Sequence, residues 1–95
     1  MAAYVIATVH VTDESAYAVY REMVAPTIEA YGGRYLARGG RAETLEGSGA
    51  PGRVIVVEFP DYERALAWYG SPEYAEAKLQ RQGSSRGELI LVEGA

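Results

Sequence analysis

The sequence contains no cysteine, which excludes disulfide bonds, thiolate catalysis and structural zinc. It contains a single histidine, His10, with no clustered carboxylates to complete a ligand set, so a metal site is not expected. The motif His-Glu-x-x-His is absent as well. We therefore expect neither a metal nor an organic cofactor.

Positive charge and long hydrophobic runs are also scarce. Nine Lys and Arg residues stand against 13 Asp and Glu residues, and the net charge of −4 opposes non-specific binding to nucleic acid. The N-terminal segment 1–11 is short and is interrupted by Thr8 and His10, unlike a signal peptide or a membrane span. We expect a cytoplasmic protein that binds neither nucleic acid nor membrane.

Ninety-five residues are enough for one domain. A chain of this size buries roughly 64% of its unfolded surface, so the core is thin, and dimerisation is a common way to bury more. Eight tyrosines are unusual for this length. Tyrosine has an apolar ring and a polar tip, which suits a cavity or an interface but equally a tyrosine-rich core.

Alternating and helical patterns predict four strands and three helices. An N-cap at Thr12-Asp13 and apolar residues at helical spacing predict the first helix, with a kink or restart before Pro26. A glycine-rich loop, Gly47–Gly52, lacks the P-loop and dinucleotide signatures and predicts a hairpin connection. The predicted strands are 4–11, 34–38, 53–59 and 88–93, the predicted helices are 14–31, 62–69 and 72–82, and 41–46 is expected to continue the second strand.

The second helical region is divided in two. Gly70 ends one helix, and Ser71-Pro72-Glu73 begins the next with an N-cap, a first-turn proline and an acidic residue. The order β-α-β-β-α-β with a split second helix predicts a ferredoxin-like α+β fold with a four-stranded antiparallel sheet. The sheet face without helices needs a cover, and a second copy packed face to face forms a dimeric barrel with a cavity in each half.

Seven motifs carry a family resemblance. In chain order they are Tyr4-x-Ile6-Ala7, Tyr31-Gly32-Gly33-Arg34-Tyr35, Arg38-Gly39-Gly40, Leu45-Glu46-Gly47, Glu58-Phe59-Pro60, Tyr69-x-Ser71-Pro72-Glu73-Tyr74 and Val92-Glu93-Gly94. The whole chain resembles the DUF1330 family, a domain of unknown function in the dimeric α+β barrel superfamily.

The resemblance implies a homodimer but no established catalytic residues. The superfamily includes cofactor-independent monooxygenases, lactone isomerases, haem-dependent dismutases and proteins with no known activity. Val5 and His10 depart from the residues common in the family, and His10 is either a mark of a specialised ligand or neutral drift.

Two residues are predicted as catalytic candidates. His10 shares a strand face with Tyr4 and Thr8 and can act as a general base, or else lies half exposed at the rim of the barrel. Arg38 precedes a glycine pair and can hold a carboxylate or enolate, or else forms an ion pair with Glu58 on the neighbouring strand.

Six further residues are predicted to contact a ligand. Arg81 lies on the inward stripe of the last helix, although its stem can instead cover apolar surface. Trp68 can form a pocket wall or belong to the core. The predicted contacts are Tyr4, Thr8, Tyr35, Glu58, Trp68 and Arg81.

Two functions remain open from the sequence. The first is a homodimeric barrel that binds an apolar or aromatic small molecule and possesses, if it is an enzyme, cofactor-independent monooxygenase, isomerase or cyclase activity. The alternative is a non-catalytic dimeric module that serves a partner protein or adds only stability, which the lack of any recognised catalytic constellation favours.

Overall fold

Four strands and three helices follow one another along the chain in a computed structural model that describes residues 1–95. The elements are β1 (Ala3–Val11), α1 (Glu14–Ala30), β2 (Arg34–Arg38), β3 (Arg53–Phe59), α2 (Tyr62–Tyr69), α3 (Pro72–Ser84) and β4 (Ser85–Glu93). This order confirms the predicted α+β, ferredoxin-like arrangement with a divided second helix. No helix has the length and apolar character needed to cross a membrane.

The strands form one antiparallel sheet in the order β2-β3-β1-β4. β1 therefore lies inside the sheet, paired with β3 on one side and β4 on the other. Alternate residues of β1 point to opposite faces. Val5, Ala7 and Val9 are buried beneath the helices, whereas Tyr4 and Thr8 are half exposed on the face without helices, which we call the open face.

Side-chain caps fix where the helices begin. Asp13 accepts a hydrogen bond from the backbone of Ala16, and Asp61 accepts one from Arg64 at 2.7 Å. Ser71 accepts one from the backbone of Tyr74 at 3.1 Å. Each cap satisfies an amide that the first helical turn leaves without a partner. The caps that the sequence predicts at Asp13 and Ser71 are thus formed.

An aromatic cluster fills one end of the space between sheet and helices. Trp68 of α2 is 2% exposed, and its ring centroid lies 4.2 Å from that of Tyr74 and 5.3 Å from that of Phe59. The indole N–H donates to the Thr27 hydroxyl, which itself donates to the carbonyl oxygen of Val24. The cluster therefore joins all three helices to β3 without leaving a buried polar atom unpaired.

Three segments differ from the sequence prediction. α1 runs through Pro26 as one helix, with no restart, because proline removes only one backbone donor and the carbonyl it leaves free belongs to exposed Glu22. Residues 41–46 form no strand, since the partner strand β3 begins only at Arg53. The glycine pair Gly39-Gly40 predicts a bulge, but the irregular pairing lies between Tyr35 and Ala37.

The expected loop 83–87 is also absent. α3 continues to Ser84 and β4 begins at Ser85, because the Ser84 carbonyl accepts hydrogen bonds from the backbone of Thr12 and Asp13. These bonds hold the end of α3 directly beside the end of β1.

The buried side of α2 is shifted as well. The helical spacing of Ala65, Leu66 and Tyr69 predicts one buried stripe. Ala65 and Trp68 are buried, whereas Leu66 and Tyr69 are 52% and 40% exposed. Burying the indole turns these two side chains toward solvent.

Gly87 generates the first testable prediction. A Cβ atom at this position would overlap the carbonyl oxygen of Thr8 on β1, and the φ angle of Gly87 is +156°. We expect Gly87→Ala to lower the free energy of unfolding by about 2 kcal/mol or more, because the edge strand β4 must separate locally from β1 to admit the methyl group. Urea denaturation followed by circular dichroism measures this change.

Gly83→Ala is the matched control. Gly83 lies inside α3 with no atom within 4 Å of an added Cβ. The methyl group should raise stability by about 0.5–1 kcal/mol through helix propensity. Equal effects of the two substitutions would contradict the backbone clash at Gly87.

Candidate functional site

A cavity lies between the helices and the covered face of the sheet. Twelve of its 17 lining residues are hydrophobic. The space between its walls is about 590 Å³, and this figure includes the part open to solvent. Only about 50 Å³ of that space is wide enough to hold the centre of a water molecule. The cavity is therefore narrow, with room for a few water molecules, and a ring-sized ligand requires side chains at the mouth to move.

The cavity exists because the core is built in two parts. The large rings of Phe59, Trp68 and Tyr74 belong to the main cluster, whereas a smaller cluster contains Ala7 and Val9 of β1 beneath Tyr17 of α1. Both β1 residues line the cavity, and their small side chains leave space below α1. Aromatic packing thus closes one end of the interlayer space and leaves the other partly empty.

The polar lining consists of hydrogen-bond donors. Four arginines and three tyrosines line the cavity, and no aspartate, glutamate, histidine or lysine does. Elsewhere in the chain, no three His, Asp or Glu side chains are grouped so that they could hold a metal ion. The charged groups facing the cavity are the guanidinium groups of Arg21, Arg38, Arg53 and Arg81.

Arg38 crosses the mouth of the cavity from β2 to α1. Its Nη2 donates to the carbonyl oxygen of Arg21 at 3.1 Å, and its guanidinium carbon lies 4.3 Å from the ring centroid of Tyr35. Arg38 is exposed and forms no ion pair with a carboxylate. Its remaining N–H donors are therefore available to a ligand.

Glu58 is not the partner of Arg38. The β2–β3 register places Arg34 opposite Glu58, and their side chains form an ion pair at 2.7 Å on the open face. Arg38 lies opposite Ile55, on the covered face. The predicted ion pair between Arg38 and Glu58 is therefore wrong, because the two side chains lie on opposite faces of the sheet.

Arg53 and Arg81 are held more firmly. Arg53 forms an ion pair with Glu14 at 3.1 Å, and its guanidinium carbon lies 5.2 Å from the ring centroid of Tyr17. Arg81 uses Nε to contact the Tyr74 hydroxyl at 3.3 Å. Both arginines thus approach the cavity from partly buried positions at its sides.

The phenols of the lining remain protonated. Burial raises the pKa of Tyr17, against the smaller opposing effect of the four arginines. Burial also raises the pKa of Tyr35, and burial together with the neighbouring Tyr74 raises the pKa of Tyr20. At neutral pH these hydroxyls act as neutral hydrogen-bond donors and not as bases.

The predicted site residues divide between the two faces. Arg38, Tyr35, Trp68 and Arg81 line the cavity. The remaining four lie on the open face, because β1 and β3 alternate and the cavity uses their other side chains. They are Tyr4, Thr8, His10 and Glu58.

The open-face residues therefore form no common site with Arg38. His10 lies opposite Arg86 in the β1–β4 ladder. The sequence prediction placed the ligand beside the mixed face of β1, but the cavity adjoins its purely apolar face.

Sequence reasoning missed four lining residues. The helical spacing of Tyr17 and Tyr20 indicates only an apolar stripe on α1, although Arg21 follows on the same helical side, four residues after Tyr17. Alternation along β3 places Arg53 on the same strand face as Ile55. This pattern in the sequence could have identified Arg53 as a lining residue.

The family model described as "Domain of unknown function (DUF1330)" matches residues 2–95. The chain belongs to the DUF1330 family. No match was found among the curated proteins. A protein of unknown function from Rhodopseudomonas palustris is similar in structure, with a TM-score of 0.80 and 21% identity over 99% of this chain and 82% of that one.

Two other solved structures share the fold of this DUF1330 chain. A protein of unknown function from Jannaschia sp. CCS1, described as dimeric and ferredoxin-like, has a TM-score of 0.64 and 16% identity over 100% of this chain and 99% of that one. An uncharacterised NIPSNAP domain protein from Burkholderia xenovorans has a TM-score of 0.61 and 13% identity over 100% of this chain and 95% of that one. At these identities the likeness shows the fold alone.

The raised pKa of Tyr20 predicts a loss of stability at high pH. Above the ordinary tyrosine pKa of 10.0 the unfolded chain releases the Tyr20 proton while the folded chain retains it. Deprotonation then favours unfolding by up to about 1.4 kcal/mol for each pH unit. In Tyr20→Phe we expect a shallower fall of the urea midpoint between pH 10 and pH 11 than in the wild type, and parallel curves would contradict the assignment.

Proposed function

We propose that this domain forms a homodimer through the open face and binds an apolar or aromatic small molecule in the cavity beneath α1. The observation that carries the proposal is the cavity itself, which combines an apolar wall with a few converging polar groups. Ligand sites in small domains are commonly of this kind. Because the cavity is narrow, the ligand is small, and exposed Arg38 is the side chain that moves to admit it.

The residues that line the cavity support ligand binding without proton-transfer chemistry. Arginine stays charged at all ordinary pH values, and burial raises the pKa of Tyr17, Tyr20 and Tyr35. A general base working near neutral pH is thus missing from the cavity wall. Any transformation of the ligand would rest on electrostatic stabilisation of an anion by groups such as Arg38. This lining also favours the alternative function, a non-catalytic dimeric module.

The open face supports the dimer. Ile90 and Val92 of β4 are 58% and 44% exposed, and Leu36 of β2 is 49% exposed. An apolar sheet face of this kind requires a cover, and a two-fold axis would place it against its own copy. The Jannaschia protein with the same fold is described as dimeric. Charged groups such as Arg34 and Arg86 lie on the same face and would form a polar rim.

Filling the cavity should abolish ligand binding. Ala7 lies on the cavity floor, and Ala7→Met adds a side chain that occupies the space. The wild type should bind at least one of cyclohexanol, benzamide, benzoate and cyclohexanecarboxylate, as measured by thermal shift and by the fluorescence of the sole tryptophan, Trp68. Ala7→Met should bind none of them, at a cost of about 1–3 kcal/mol in stability.

His10→Ala is the matched control, because His10 lies on the same strand but points to the open face. The affinity of His10→Ala for the probes should stay within about twofold of the wild-type affinity, a smaller change than the loss of one hydrogen bond would cause. Binding lost in His10→Ala but retained in Ala7→Met would move the ligand to the open face. No binding of any of the four probes would contradict the proposed function.

A charge placed on the open face should separate the dimer. Ile90→Glu places a carboxylate in the proposed interface, where it would be buried. In the monomer the same carboxylate is solvated, because residue 90 is 58% exposed. Sedimentation equilibrium should give twice 10.3 kDa for the wild type and 10.3 kDa for the variant. Leu79→Glu, at an exposed position of α3, is the control and should remain dimeric. A monomeric wild type or a dimeric Ile90→Glu would refute the interface.

A further inference from the structure

The hydroxyl of Tyr17 faces the cavity without a partner. Tyr17 is 3% exposed and lines the cavity, and no hydrogen bond to its hydroxyl is formed in the protein. The structure leaves no fully buried side-chain nitrogen or oxygen atom unpaired. The Tyr17 hydroxyl oxygen is therefore not fully buried, and its proton is free to be donated to a molecule bound in the cavity that Tyr17 lines.

Positive charge converges on the same hydroxyl. The guanidinium groups of Arg21, Arg38, Arg53 and Arg81 all lower the pKa of Tyr17, although burial raises it by more. Only Arg53 is paired with a carboxylate. The chain as a whole has a net charge of −4, yet no acidic side chain lines the cavity. Three unpaired guanidinium groups around an apolar space attract an anion.

A second tyrosine lies beside Tyr17 in the cavity wall. Tyr20 lines the cavity, and its ring centroid lies 5.4 Å from that of Tyr17. The Tyr20 hydroxyl lies 3.4 Å from that of buried Tyr74, where either group can donate. Tyr74 also accepts from Nε of Arg81, which can only donate.

From these observations we infer that the cavity ligand is an apolar monocarboxylate, with its carboxylate bound by the Tyr17 hydroxyl and the surrounding arginines and its hydrocarbon part against Ala7 and Val9. The inference rests on the proposed function and names its ligand class. The Tyr17 hydroxyl and all four guanidinium groups donate, which matches an acceptor-only carboxylate. The predominantly apolar wall favours a hydrocarbon body attached to that charge and disfavours a free inorganic anion.

Matched ligand pairs test this inference. Benzoate and benzamide, and likewise cyclohexanecarboxylate and its carboxamide, have almost the same shape but differ in charge. The carboxylates should bind at least about tenfold more tightly than the amides, because charge-assisted hydrogen bonds are the stronger kind. Isothermal titration calorimetry measures both affinities, and added sodium chloride should weaken only the carboxylates.

Two variants locate the binding group. Tyr17→Phe keeps the ring and removes the hydroxyl, and it should lower carboxylate affinity about fivefold or more while leaving amide affinity within about twofold. Arg38→Gln should have the same selective effect on carboxylate affinity. Because Arg38 is exposed, this variant provides the test even if Tyr17→Phe loses stability. Arg86→Gln is the control, since it removes the same charge from the open face, and it should leave both affinities unchanged.

The outcomes separate this inference from the function on which it rests. Equal binding of amides and carboxylates would overturn the anion inference and leave the cavity proposal intact. Inorganic phosphate that binds as tightly as benzoate and displaces it would overturn the monocarboxylate class. Selective loss in Arg86→Gln rather than Tyr17→Phe would place the anion on the open face and overturn the assigned site. If none of the probes binds, both proposals fail.

Discussion

The packing of Trp68 against Phe59 and Tyr74 is the contact on which the rest of the structure depends. These three rings hold α2 and α3 to the sheet, and the Trp68–Thr27 hydrogen bond adds α1. At this end of the domain, the aromatic side chains set the distance between the helices and the sheet. At the other end the floor is formed by small residues such as Ala7, so the layers cannot close completely and a cavity remains.

The charge distribution follows from the same geometry. Four arginines reach the cavity from four different elements, and none of the 13 acidic residues lines it. Guanidinium groups without carboxylate partners are tolerable in the cavity wall because Arg38 and Arg21 are exposed to water. The partly buried Arg81 is instead held by its hydrogen bond to the Tyr74 hydroxyl. Structure and electrostatics therefore favour the same kind of ligand.

The alternation of β1 gives the domain two separate surfaces. Val5, Ala7 and Val9 serve the core and the cavity, while Tyr4, Thr8 and His10 lie on the open face. A dimer formed through the open face would leave the covered-face cavity of each copy intact. The predicted roles of His10 and Arg38 in one catalytic site cannot be combined, because a β-sheet lies between them.

The sequence by itself determined the local structure: Asp13, Asp61 and Ser71 begin the helices, alternation marks the strands, and seven motifs in order indicate the DUF1330 family. These features depend on neighbours within a few residues. Only the tertiary structure decided that Arg34 and not Arg38 pairs with Glu58, that the cavity lies on the apolar face of β1, and that four arginines surround Tyr17. Strand register and the distance between packed layers set these contacts, and both arise from residues far apart in the chain.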